Sequence, residues 1–429
     1  MAYTDFIAAI DLGTSHMVGM VGTKNATGAL SIIAYEVENS GTCIRRGCVY
    51  NVKETASKIK RLILKLENKL GGTKIGQVYV GLGGQSLRSI EHTVCKVLGM
   101  EGVVTEEIID SLYQECKDYR PDMLTVLDVV SPSYFLDDKP ESNPVGVPCS
   151  RIEARYKLIV GRPSLKLNIV NSISEQAKIE IAGILVSPLA LGDVVLSDNE
   201  KDLGCALIGF GAGVTTISVY KGGKLASLSV VPFGGNLITK DITNLRVVES
   251  EAERLKITYG SAKADRDNDM TIQVSLADGM GLREIKLAEL NGVIEARMDE
   301  ILENVYARLE ATGLMSVLGA GIVITGGGAA LKNLPAVMSE RLKMEVRYSA
   351  VRKGVVASGD LVVASNPEYA VAVGLLAKGT KNCALYIPPK PEPKIEPVVE
   401  PEPTVEPTPE PEPVKEKPKK EKKKGPGLF

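Results

Sequence analysis

Three glycine-rich turns carry the residue types needed to hold a phosphorylated ligand. The first lies in FIAAIDLGTSHMVGMVG, Phe6 to Gly22. A short apolar run, Phe6 to Ile10, reads as a buried strand with Asp11 at its end. Gly13, Thr14 and Ser15 make a tight turn, and Met17 to Val21 return as a second strand. A glycine turn lets backbone N–H groups approach an anion closely. The hydroxyls of Thr14 and Ser15 add donors, and Asp11 is placed to hold Mg²⁺ through water against phosphates. The same residues also suit a plain β-hairpin. What favours the ligand is repetition. Cys205 to Pro232, CALIGFGAGVTTISVYKGGKLASLSVVP, again reads strand, glycine turn, strand, hairpin, strand. Gly211 follows Gly13 by 198 residues, Ala212 aligns with Thr14 and Gly213 with Ser15, and Val214 and Thr215 complete the second candidate loop. The third turn, Gly326, Gly327 and Gly328 in IVITGGG, leads into the helix-like ALKNLPAVMSERL. Two glycine hairpins and a strand–glycine–helix turn suggest a nucleotide held between two duplicated halves.

The elements that must position these turns follow from periodicity. A hairpin at Asn25–Gly28 extends the first strands, and Lys53 to Leu70 is amphipathic, with Ile59, Leu62, Ile63, Leu66 and Leu70 on one face. Gly71–Gly72 closes that helix, and QVYVGL, Gln77 to Leu82, is another buried strand. Between residues 84 and about 164 the pattern changes. An alternating strand (Ser89 to Val97), a helix (Thr105 to Asp118), a Pro- and Asp-rich bend and a strand (Glu153 to Val160) read as an insertion. Leu167 to Ala182 reads as a helix, Ile184 to Val186 as a strand, and a further helix runs past Pro188 to Leu196. Later come a periodic helix from Leu287 to Ala311, a strand from Glu345 to Val351 and an Ala- and Gly-rich helix from Asn366 to Gly379.

Composition sets the outer limits. The 429 residues suffice for at least two large cores, and the net charge of −2 gives no reason to expect nucleic acid. Seven scattered cysteines without a CxxC pair read as reduced packing residues of a cytosolic chain. With only His16 and His92, catalysis built on histidine is disfavoured. No signal peptide or apolar run of transmembrane length is evident. From Pro388 the composition collapses to Pro, Glu, Val and Lys, ending KPKKEKKKGPGLF. Such a segment buries no core and reads as an extended linker, with a reach on the order of 120 Å at ~3.1 Å per residue.

The three turns, in this order and spacing, resemble the actin-like ATPase superfamily. Within it, SYFLDDKPESNPVGVPCSRIEARYKLIVG, EKDLGCALIGFGAG, PFGGNLITKD and EAERLKITYGSA resemble the FtsA family of cell-division proteins. The resemblance spans about residues 4 to 385. It implies an α/β fold of two duplicated RNase-H-like domains around a nucleotide cleft, with a small inserted α/β subdomain. The implied layout is residues 1–83 and 165–203 for the first domain and 84–164 for the insert. The second domain would be 204–385, including a partner-binding part at about 241–311, and 386–429 a disordered tail. The resemblance also implies ATP and Mg²⁺ as ligands. In the family's AE-x-x-K helix the acidic residue approaches the ribose and the lysine the adenine, which places Glu253 and Lys256; an i,i+3 surface ion pair is the alternative. The resemblance also places the helix of Arg297, in IEARMDEI, in the part that receives the acidic C-terminal peptide of FtsZ, where an Arg fork suits a carboxylate; a solvated helix face is the alternative.

Further expected partners are the chain itself in filaments, other divisome proteins, and an anionic membrane surface bound weakly or through partners. The expected location is the cytoplasmic face of the cell membrane at the division septum. In the family such a linker leads to an amphipathic C-terminal helix, which GPGLF does not supply, so the expectation is either that the chain is truncated before it or that the basic run works with a partner's anchor. The second loop departs as well. The family and the internal repeat with Asp11 place an Asp at position 209, where this chain has Gly209, and the family's later acidic position falls on Thr216. Weak or no ATPase activity is therefore expected. A PilM-like adaptor of pilus assembly and an actin-fold ATPase or sugar kinase are the alternatives.

Overall fold

The structure is a computed structural model and describes residues 5–99, 102–275, 281–358 and 365–385. The expected linker and basic tail lie outside the described residues.

The first half is built around the strand that ends in Asp11. Ile7–Leu12 pairs antiparallel with His16–Lys24 and parallel with Gln77–Leu82. The sheet continues to Leu30–Asn39 on one side and Glu180–Val186 on the other. Covered on both faces, the central strands read as near-continuous apolar runs, as a sheet buried on both sides requires. Helix Val52–Lys69 covers one face, and the Asn51 side chain caps it by accepting from the Glu54 N–H at 3.1 Å. Its buried stripe includes Ile59, Leu62, Ile63 and Leu66. Packing is close enough that a Cβ on Gly19 would stand 2.8 Å from a Leu66 methyl.

The second half repeats this plan. Cys205–Phe210 pairs antiparallel with Thr215–Lys221 and parallel with Ile322–Thr325, flanked by Lys224–Val231 and Val346–Tyr348. Asp11 stands opposite Val18, and Gly209 at the equivalent place opposite Thr216. The 198-residue offset read from Gly13 and Gly211 is thus a spatial equivalence as well.

Residues 84–164 contain a separate four-stranded antiparallel sheet in the order Arg88–Val97, Arg151–Gly161, Thr125–Leu136, Lys139–Glu141. Helix Glu106–Asp118, capped by Thr105, closes a small core with Val94, Leu112, Cys116 and Tyr156. In the second half, helix Glu249–Tyr259, the hairpin Thr271–Ser275 with Leu282–Lys286, and helix Leu287–Glu310 form a side unit.

Four expectations need correction. The helix expected over Leu167–Ala182 is an α-helix only over Ser164–Val170, continues as a π-helix over Asn171–Ala177, and ends where Lys178 takes φ 61°. Residues from Glu180 instead join the sheet beside Gln77–Leu82, a long-range pairing that overrides local helix preference. The second domain also does not keep the whole of residues 204–385. Val356–Ser358 pairs with Leu30–Asn39, and the Cys383 N–H donates to the Phe6 carbonyl at 2.7 Å. The C-terminal segment therefore returns to the first half. Its helix is Ala370–Lys378, preceded by a 3₁₀ turn. The strand expected over Glu345–Val351 is the shorter Val346–Tyr348.

Candidate functional site

A cleft of about 270 Å³ lies where the ends of the two central strands face each other. Asp11, Gly13, Thr14, Ser15, Gly211, Ala212, Gly213, Val214, Glu253, Lys256, Gly326, Gly327 and Gly328 all line it. Thr215 is the exception. It is fully buried and its hydroxyl donates to the Phe233 carbonyl at 2.9 Å, while its neighbour Thr216 faces the cleft. Successive strand residues point to opposite faces, so only one of the two can.

The loops are held by their carbonyls. The Gly211 N–H bonds to the Val214 carbonyl at 2.9 Å and closes the second turn. The Gly211 and Ala212 carbonyls accept from the N–H groups of Gly235 and Asn236 at 3.0 and 2.8 Å. In a trans peptide the C=O and the following N–H point opposite ways, so the Ala212 and Gly213 N–H groups are turned away from the helix Gly235–Ile242, whose first residues donate those bonds. In the first turn the Gly13 carbonyl accepts from the Ser40 hydroxyl at 2.7 Å, which orients the Thr14 N–H in the same manner. The two turns meet. A Cβ on Gly213 would stand 2.5 Å from Thr14 Oγ1, closer than any side chain tolerates.

Asp11 sits at the cleft floor. Burial pushes its carboxyl up to about 6, countered in part by the Leu12 N–H. It has no ion-pair partner among the described residues, so its charge is uncompensated there and a dication would balance it; the site fits a hydrated Mg²⁺ in this respect. Gly81 leaves the space beside it, since a Cβ at 81 would stand 3.2 Å from Asp11 Oδ1 and 2.6 Å from Ser187 Oγ. At the equivalent place in the second half, a Cβ on Gly209 would meet Thr216 Oγ1 at 2.6 Å. A hydroxyl occupies the room a carboxylate would use.

Glu253 and Lys256 form the i,i+3 ion pair at 2.7 Å while also lining the cleft. Lys256 further donates to Thr239 Oγ1 at 2.8 Å and the Gly235 carbonyl at 3.2 Å, and the Thr239 hydroxyl donates to Glu253. The structure does not bring Arg297 to this cleft. Its guanidinium pairs with Asp241 and Glu300, and these carboxylates raise its pKa, Asp241 foremost.

Sequence reasoning missed several lining residues, among them Gly47, Gly83, Gly84, Thr325 and Glu368. The glycines directly after Gln77–Leu82 form a further strand–glycine turn that could have been found by the criterion used for the other three.

Residues 206–374 match the family model for "Cell division protein FtsA". The chain is 39% identical over 382 residues to the cell division protein FtsA of Porphyromonas gingivalis, spanning 89% of this chain and 79% of that protein. It is 32% identical over 392 residues to that of Bacillus subtilis, spanning 90% and 86%. Among solved structures, a PilM–PilN type IV pilus biogenesis complex is similar with a TM-score of 0.60 at 16% identity, covering 86% of this chain and 97% of that one. A MamK double helical filament gives 0.50 at 12% identity, covering 86% and 97%. At such identities the likeness establishes the fold alone, which is the actin-like ATPase fold.

Proposed function

Because this chain belongs to the FtsA family of cell-division proteins, we propose that it binds ATP with Mg²⁺ between its two halves and acts as a filament-forming adaptor that recruits FtsZ to the membrane at the division septum. The observation that carries the nucleotide reading is the meeting of two glycine turns, Gly213 against Thr14, beside the uncompensated Asp11. Backbone amides of both turns bind the phosphates. Asp11 holds Mg²⁺ through water, and the ion, when bound, neutralises phosphate charge. Glu253 accepts from a ribose hydroxyl, Lys256 lies along the base, and Gly326, Gly327 and Gly328 admit it without side chains. Cleavage is slow because Gly209 and the Thr216 hydroxyl offer no carboxylate to take a proton from water. The nucleotide then regulates assembly.

Arg297 receives an acidic peptide of FtsZ by exchanging Asp241 and Glu300 for the peptide's carboxylates. Basic residues of the tail add weak attraction to an anionic leaflet, about 1 kcal/mol per Lys near the surface. The test is a titration with ATP·Mg²⁺ beside co-pelleting with FtsZ filaments, with and without ATP. Asp11→Asn should weaken nucleotide binding, and Arg297→Glu should abolish binding of the FtsZ C-terminal peptide while leaving ATP affinity unchanged. A chain that binds no ATP, or peptide binding indifferent to Arg297→Glu, would overturn the respective half of the reading.

A further inference from the structure

We propose that Arg46 contacts the terminal phosphate of the bound nucleotide and makes the cleft discriminate a nucleoside triphosphate from the diphosphate. This rests on the reading that the cleft holds a nucleotide. Arg46 lies at the tip of a small hairpin, Ile44–Arg45 paired with Cys48–Val49. Arg46 and Gly47 both take left-handed backbone, at φ 48° and 71°. Two consecutive residues of that kind make the tight turn whose twist matches a hairpin.

That tip touches both phosphate turns. The Gly47 N–H donates to Thr14 Oγ1 at 2.9 Å, which fixes the hairpin to the first turn. A Cβ on Gly213 would stand 3.0 Å from the Arg46 Cα, so the backbone of Arg46 borders the second turn. The direction of the cleft can be traced through contacts. Lys256 donates to the Gly235 carbonyl, Gly235 donates to Gly211, and Gly213 abuts Thr14. The path runs from the base-binding residues across the second turn to the first, and the Arg46 backbone borders the place where the two turns meet, next to the lining residue Gly47. Arg46 is not itself a lining residue, and from this junction its long side chain has only to leave Gln85 to meet the last phosphate of a chain laid along the path.

Charge points the same way. Of the ionised side chains lining the cleft, Asp11, Glu253 and Glu368 are acidic and Lys256 is basic. Lys256 is already paired with Glu253. A triphosphate adds negative charge to a cleft that is short of cations. Arg46 is exposed, donates through Nη1 to the neutral Gln85 Oε1 at 3.2 Å, and has no ion-pair partner among the described residues. Its neighbour Arg45 is committed elsewhere, with its guanidinium 3.9 Å from the centre of the Tyr50 ring. A guanidinium carries five N–H donors in a fork that suits phosphate oxygens. The turn itself does not call for arginine, because Asn or Gly adopts left-handed backbone more readily.

That preference supplies the test. Arg46→Asn keeps the turn and removes the guanidinium, and Arg46→Lys keeps the charge without the fork. Affinities for ATP·Mg²⁺ and ADP·Mg²⁺ are measured on the full chain and both variants by displacement of a fluorescent nucleotide. Arg46→Asn should weaken ATP by about tenfold or more and ADP by less than about threefold, with Arg46→Lys in between. Equal losses for ATP and ADP, or none, would overturn the role of Arg46 while leaving the nucleotide reading intact. An unmodified chain that binds neither nucleotide would overturn both. Melting curves of the nucleotide-free variants report whether the hairpin survives. A collapsed Arg46→Asn moves the decision to Arg46→Lys, whose unchanged ATP-to-ADP ratio would then overturn the proposal.

Discussion

Position 209 shows how one atom decides what a substitution can do. Gly209 stands where the duplication puts the counterpart of Asp11, so restoring an Asp there is the obvious way to raise hydrolysis. The added Cβ, however, would meet Thr216 Oγ1 at 2.6 Å, with a Leu191 methyl at 3.5 Å behind it. Overpacking of this kind typically costs about 1–3 kcal/mol. Gly209→Asp alone should therefore lower the melting temperature. Gly209→Asp combined with Thr216→Ala removes the obstructing hydroxyl. That double variant should recover most of the lost stability and raise single-turnover ATP hydrolysis by about tenfold or more. A single variant that melts like the parent would show that Thr216 moves aside freely. Sequence alone shows that residue 209 is Gly and that Thr216 falls on the later acidic position, but not which threonine of the pair faces the cleft. Strand register decides that, burying Thr215 against the Phe233 carbonyl. The same limit applies to Arg297. Its charge is legible, while its partners Asp241, 56 residues away, and Glu300 depend on how two helices pack.

At the level of elements, structure is legible in the sequence where local signals are dense and obscure where pairing is distant. The Asn51 cap, the apolar stripe of Val52–Lys69 and the glycine stop at Gly71–Gly72 all lie within one stretch of chain, and the helix appears there. Val356–Ser358 and the first residues of Glu180–Val186 owe their form to strands far away in sequence, and only Ile184–Val186 carries a local strand pattern. Gly292 lies inside helix Leu287–Glu310, and a Cβ there would meet nothing within 4 Å. Gly292→Ala should stabilise the protein by about 0.5–1 kcal/mol, read as a shift in urea midpoint without a change in slope. Asp193, in helix Ser187–Val195, accepts from Lys378 at 2.7 Å and from Lys201 at 2.9 Å, clasping two neighbouring helices. Burial would raise its pKa, but the two ammonium groups outweigh that and hold it below the usual carboxylate range. A depressed native pKa means stability that is present above the unfolded value near ~3.9 and is lost as acid titrates the folded carboxylate. Asp193→Asn should cost about 0.5–1 kcal/mol at pH 7, and the gap to the parent should shrink below about pH 4. A gap that stays constant into acid would mean that packing, not charge, is what the substitution disturbs.

On the scale of the whole molecule, the duplication matters because neither half owns the site. The first half contributes Asp11 and the turn at Gly13; the second contributes Gly211, Gly213 and the glycines at 326 to 328. The two contributions meet at Gly213 against Thr14. A ligand held by both turns is a clamp between halves, and it stabilises the folded state by mass action, by about 2.7 kcal/mol at a hundred times its Kd. A single methyl should break that clamp. On Gly213 it would stand 2.5 Å from Thr14 Oγ1, 2.8 Å from Thr14 Cγ2 and 3.0 Å from the Arg46 Cα, so it collides with two segments of the first half at once. The turns must part, and amides aimed at one phosphate chain no longer converge on it. Gly213→Ala should therefore lose most of the ATP·Mg²⁺-dependent rise in melting temperature, whatever its melting temperature without nucleotide. Gly292→Ala, where the added methyl enters open space, should keep the rise in full. Thermal melts of the parent and both variants, each with and without saturating ATP·Mg²⁺, make the comparison. A Gly213→Ala protein that is stabilised by ATP as strongly as the parent would show that the nucleotide is not gripped between the two halves.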